Sequence, residues 1–126
     1  MSFSNAFETT VLTWAFTTGS ATRPTAWYLA LFTSDPAEDA SGTEVSGGGY
    51  VRQAATFTVS GNTASNSGAI EYPTATAGYG TVSHVGVFDA SSGGNLISYA
   101  ALTTSKTIDT GDVFRVPAGD LDITLD

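Results

Sequence analysis

Apolar positions along the chain fall into one early stretch with helical spacing, followed by a series of short runs with the two-residue alternation of strands. Phe7, Val11, Leu12, Ala15 and Phe16 recur at spacings of three and four, which predicts a short amphipathic helix ending near Gly19. Asn5 is placed to cap it, with Glu8 reaching back three residues to complete a capping box. The β-branched residues Thr9, Thr10, Val11, Thr13, Thr17 and Thr18 disfavour helix modestly, so a strand is the alternative there.

After the Arg23-Pro24 turn, Trp27 to Phe32 is unbroken apolar sequence, as expected of a central strand buried on both faces. It stops at Ser34-Asp35-Pro36, and Ala37 to Gly49 reads as a polar surface loop with flexible or positive-φ glycines. Tyr50 to Val59 alternates, with Val51, Gln53, Ala55, Phe57 and Val59 on one side, and is expected to form one half-buried strand. Beyond the Ser60-Gly61-Asn62 turn, Thr63 to Ser67 and Ala69 to Tyr72 read as a short strand or hairpin. Thr81 to Asp89 and Leu96 to Leu102 flank Ser91-Ser92-Gly93-Gly94-Asn95 and are expected to be hairpin neighbours. Lys106 to Ile108, Val113 to Val116 and Leu121 to Leu125 close the series.

About eight short strands, reversed at Gly, Ser, Asn or Asp every eight to twelve residues or so, predict an all-β fold. The expectation is a single-domain antiparallel β-sandwich or jelly roll over residues 1–126, with residues 1–20 as a helical N-terminal arm. At this length two separate cores would each be too small to be secure.

Composition narrows the function. Without cysteine there is no disulfide framework, thiolate metal site or thiol nucleophile. Only 13% of residues are charged, so Thr, Ser, Ala and Gly must cover much of the surface, which suits packing against neighbours. Arg23, Arg52, Lys106 and Arg115 stand against twelve acids, for a net charge of −8, so neither nucleic acid nor anionic membrane is an expected partner. The N-terminus lacks the basic region of a signal peptide and any apolar run long enough to span a bilayer, so synthesis and use in the host cytoplasm are expected.

Candidate chemistry is sparse. His84 is the single histidine, flanked by Val82, Val85 and Val87, and no positioned nucleophile accompanies it. Asp35, Glu38, Asp39 and Glu44 form an acidic loop whose spacing does not match an EF-hand. Gly47-Gly48-Gly49 is not a phosphate cradle, since neither a Walker lysine nor a helical pattern follows. Asp120 and Asp122 share one side of the last strand, where exposure to water accounts for them. A non-enzyme without cofactor or metal is expected. Phe3, Trp14, Tyr72 and Tyr79 lie in the least periodic surroundings and are the candidate anchors of a subunit interface.

Five segments carry a resemblance: Ala30-Leu31-Phe32-Thr33-Ser34-Asp35-Pro36, the run from Thr43 to Gln53 (TEVSGGGYVRQ), His84-Val85-Gly86-Val87-Phe88-Asp89, Gly93-Gly94-Asn95-Leu96, and Ala118-Gly119-Asp120-Leu121. Together they resemble a family of small tailed-phage virion structural proteins, tail-fibre-like or of the head-decoration (cement) type, from about Trp27 to Asp126. The resemblance implies a virion component and brings no catalytic residues to carry over. The first expectation is a capsid decoration protein, a homotrimer bound to the major capsid protein and stabilising its lattice by mass action. The alternative is a tail or tail-fibre accessory protein in host attachment, and a remoter one is a carbohydrate-binding β-sandwich.

Overall fold

The computed structural model of the chain describes residues 1–125, so Asp126, the last residue of the expected domain, lies outside the described residues. In chain order the elements are β1 (Ser2–Phe3), α1 (Asn5–Phe16), β2 (Trp27–Phe32), β3 (Gln53–Ala55), β4 (Phe57–Ser60), β5 (Thr63–Asn66), β6 (Ile70–Glu71), β7 (Gly80–Phe88), β8 (Leu96–Ile108), β9 (Arg115–Val116) and β10 (Asp122–Thr124). The strands form a five-stranded sheet in the order β1-β8-β7-β2-β3, a three-stranded sheet β10-β5-β4 and a two-stranded sheet β6-β9. Every pairing is antiparallel, so the fold is the small all-β domain with one short helix that the periodicity predicts.

The unbroken apolar run does become an interior strand, since β2 lies between β7 and β3. Alternation along it divides the core. Leu29 and Leu31 enter the main cluster with Val85, Val87, Tyr72 and Phe114, while Ala30 and Phe32 pack on the opposite face with Phe88 and Leu96. Gly86 sits in this second cluster because a Cβ there would come within 2.9 Å of Leu96 Cδ1 and 3.2 Å of Phe32 Cε2. Its bareness lets the Phe32 and Phe88 rings stack at 6.1 Å between centroids.

The expected hairpin is present and longer than its pattern suggests. β7 and β8 pair from Gly80 opposite Ile108 to Phe88 opposite Leu96. Leu96 to Leu102 and Lys106 to Ile108, expected as two strands, belong to one. The register passes from Val82–Lys106 to His84–Ala101, so β8 bulges opposite Ser83 and hides its own continuity.

Elsewhere the pattern misleads. Tyr50 to Val59 is not one strand: it breaks at Thr56 into β3, which pairs with β2, and β4, which pairs with β5 in another sheet. Ala55 is buried and Phe57 half-buried at the rim of the core, edge-on to Trp27, whereas Val51 and Val59 are exposed. Thr63 to Tyr72 is likewise no hairpin, because β5 and β6 join different sheets. Buried Asn66 explains the separation. Its Nδ2 donates to the carbonyls of Gly68 and Pro117, and its Oδ1 accepts from the Leu121 N–H, tying β5 to the C-terminal segment.

The helix is capped one residue earlier than expected. Ser4, not Asn5, is the N-cap, with its hydroxyl accepting from the Phe7 N–H at 3.2 Å, while the Glu8 N–H donates to the Ser4 carbonyl, so the Asn5–Glu8 box does not form. The choice follows from tertiary contacts. Buried Ser4 also donates from its N–H to the Ile97 carbonyl and from its hydroxyl to the Leu96 carbonyl, which fixes the start of α1 on β8. The helix ends at Phe16 rather than Gly19.

Candidate interaction surface

The sequence offers few groups with chemistry, and the fold commits most of them to holding loops. Glu44 and Arg52 form a two-pronged ion pair, with Arg52 Nε donating to Glu44 Oε2 at 2.9 Å and Nη2 to Oε1 at 2.8 Å. Arg52 Nη1 donates to the carbonyls of Ala90 and Gly93, and the guanidinium lies 3.8 Å from the centre of the Phe88 ring. Tyr50 donates its hydroxyl hydrogen to Glu44 Oε2 at 2.6 Å and accepts from the Leu31 N–H. One side-chain knot thus joins the acidic loop, strand β2 and the β7–β8 turn.

Electrostatics match this geometry. Burial alone would raise the Glu44 carboxyl, but hydrogen bonds from Arg52 and Tyr50 and the guanidinium charge hold it below its usual value. Burial, then the hydrogen bond to Glu44, pushes the Tyr50 phenol far up, so it remains a neutral donor.

The other acids of the loop do not converge with Glu44. Asp35 Oδ1 accepts from the Ala37 N–H and Asp39 Oδ1 from the Ser41 N–H, each closing a local turn. Among the described residues no three His, Asp or Glu side chains gather as a metal-holding group. Asp122 accepts from the Ser65 hydroxyl across the β5–β10 pair. The glycine triplet is conformational rather than slack. All three residues have positive φ, and a Cβ on Gly48 would lie 2.4 Å from the Ala77 carbonyl oxygen. His84 is half-buried on β7, its Nδ1 2.8 Å from the Ser83 hydroxyl, between Phe32 and Ala101 on the neighbouring strands.

The four candidate interface aromatics separate. Tyr72 and Tyr79 are core residues. Tyr72 donates its hydroxyl hydrogen to the Leu29 carbonyl at 2.5 Å and stacks on Tyr50, and Tyr79 meets the same Tyr50 edge-on, so neither offers a surface to another chain. Phe3 is half-buried, edge-on to Phe7 at 5.0 Å. Trp14 alone is open, 72% exposed.

Trp14 has company that periodicity assigned to the core. Leu12 and Phe16 are 57% and 80% exposed, and α1 buries no residue fully. Spacing fits a covered face, but of its apolar positions only Phe7 and Val11 reach partial cover. Three threonine hydroxyls turn back onto the helix: Thr9 and Thr10 within α1 and Thr17 at its C-cap donate to the carbonyls of Asn5, Ala6 and Thr13. No charged residue occurs from Thr9 to Thr22. Between α1 and the Ala21–Pro24 segment runs an open groove of about 280 Å³ lined by Phe7, Thr10, Val11, Trp14, Arg23 and Pro24. A helix anchored at one end, uncharged beyond Glu8 and presenting large apolar side chains to water, has the chemistry of a docking element.

A protein-family model described as podophage GP4 fiber I protein gp80 matches residues 2–124 of the chain. No curated protein matches it.

Proposed function

Because the chain belongs to the podophage GP4 fiber I protein gp80 family and is a phage virion structural protein, we propose that it is a fibre-type component of the particle that attaches through α1. The family description supports the tail or fibre alternative over the capsid decoration expected first. The observation that carries the mode of attachment is the exposure of Leu12, Trp14 and Phe16 on a helix that bears no charge beyond Glu8. Leu12 and Phe16 share one side of the helix and Trp14 lies on the other, so a partner that wraps α1 gains roughly 1.5–3 kcal/mol from each before association costs are subtracted, enough to anchor a contact. The role is structural and needs no cofactor. The knot around Arg52 keeps the loops in one shape, and the helix supplies adhesion.

Attachment can be separated from folding. Leu12→Gln, Trp14→Gln and Phe16→Gln keep good helix formers at positions that contribute little to the core. The triple variant is expected to unfold within a few degrees of the native protein, yet to bind tails assembled without this protein at least roughly tenfold more weakly, as loss of more than about 1.4 kcal/mol requires. Co-sedimentation of labelled protein with such tails reads the difference, and undiminished binding by the triple variant would contradict the role of α1.

A further inference from the structure

A second uncovered apolar surface lies far along the chain from α1, at β4, the outermost strand of the sheet β10-β5-β4. Natural sheet edges normally carry a device against pairing with other chains, such as a lysine, a proline, a bulge or a covering loop. β4 carries none of these. No charged residue occurs from Gln53 to Ile70, the pairing of β4 with β5 is regular from Phe57–Asn66 to Ser60–Thr63, and Val59 is 74% exposed. The other edge of the same sheet, β10, begins with Asp122, two residues after Asp120.

Bond alternation shows which groups β4 offers. The Ser67 N–H donates to the Thr56 carbonyl at 2.9 Å, in step with the β4–β5 ladder, so Thr56, Thr58 and Ser60 turn their backbone groups toward β5. Phe57 and Val59 turn theirs to the open edge.

We infer that β4 is a self-pairing edge. Two copies join antiparallel about a twofold axis at Thr58, with Phe57 of each opposite Val59 of the other, merging two three-stranded sheets into one of six. This register satisfies the outward N–H and C=O groups of both residues with about four hydrogen bonds between the copies. It also sets an aromatic against a β-branched side chain, a favourable cross-strand pair, and keeps apolar residues on one face. The interface is isologous and closes on itself.

Self-complementarity selects a second copy as the occupant, because the outward bonding groups at Phe57 and Val59 lie symmetrically about Thr58. A chain of net charge −8 disfavours approach of its own copies, and the stretch from Gln53 to Ile70, which holds no charge, keeps that penalty small at β4. A basic partner would instead be drawn to the acidic loop. Val59, Ala64 and Ile123 stand opposite one another across the three strands, and the join extends this apolar row into the second copy.

Sedimentation equilibrium of the full chain from micromolar to millimolar concentration, with amide hydrogen exchange on the same samples, tests the inference. The expected result is a reversible dimer in which exchange at Phe57 and Val59 slows as the dimer fills. Val59→Lys weakens the dimer at least roughly tenfold by bringing like charges together at the join. Trp14→Gln leaves it unchanged, which separates this contact from docking through α1. A monomer at every concentration overturns the inference. So does an oligomer, a trimer included, that is indifferent to Val59→Lys, or fast exchange at Phe57 and Val59 in the associated native chain, whatever the fate of the lysine variant.

Discussion

Replacing Arg52 by alanine is expected to lower the unfolding free energy by about 3 kcal/mol, the low end for breaking a buried ion pair by removing one partner. The Arg52 side chain is 8% exposed and that of Glu44 27%, so the abandoned carboxylate keeps some access to water and the loss stays below the upper end. The variant also strips the Ala90 and Gly93 carbonyls of a donor and the Phe88 ring of its cation. Urea titration monitored by tryptophan fluorescence measures the loss, and heat should unfold the variant on the order of 10 °C earlier.

Acid dependence tests the same knot from the other partner. The folded Glu44 carboxyl lies below its usual 4.5, so it adds stability that is fully present above that pH and disappears as pH falls through the lower folded value. In Arg52→Ala the guanidinium that opposes burial is gone, and the carboxyl moves upward. The gap between native and variant is therefore widest near neutrality and narrows below about pH 4.5. A gap independent of pH would mean that the arginine acts only through packing.

Replacing Tyr72 by alanine is expected to cost about 3–5 kcal/mol, as for other buried aromatics truncated in a core. The substitution removes a ring stacked on Tyr50, edge-on to Phe114, and the hydrogen bond to the Leu29 carbonyl. Trp14→Ala, the other extreme among the four aromatics singled out by sequence, should change stability by no more than about 0.5 kcal/mol. Side-by-side thermal unfolding distinguishes them. Similar losses from both would show that α1 packs more tightly than its exposed side chains indicate.

The β2 strand was legible because six consecutive apolar residues fit a position covered on both faces, and the β7–β8 hairpin because alternation flanks a Gly-rich reversal. The break at Thr56 was invisible, since Ala55 and Phe57 keep the same alternation while the chain passes from one sheet to another. Helical spacing at Leu12 and Phe16 reports a face that needs covering but not which chain covers it. That limit is physical, because burial against a neighbour and burial in one's own core impose the same pattern.

The knot was illegible for a related reason. Glu44 reads as one acid of a polar loop and Arg52 as one residue on the outer side of a strand, and only the turn through three positive-φ glycines brings them together. Tyr72 misled because β6 is two residues long, too short to show a period, so a core residue looked irregular. The family resemblance runs through residues of this kind. Glu44, Arg52, Phe88 and Gly93 all belong to the framework that fixes the loops, so they mark the shape of the protein.

The most direct test of a fibre-type virion role is the position of the protein on the particle. Purified virions labelled with gold-tagged antibody against this chain and imaged in negative stain are expected to carry the label at the tail and its fibres. Label spread over the capsid lattice, with tails bare, would contradict the account and restore the decoration role.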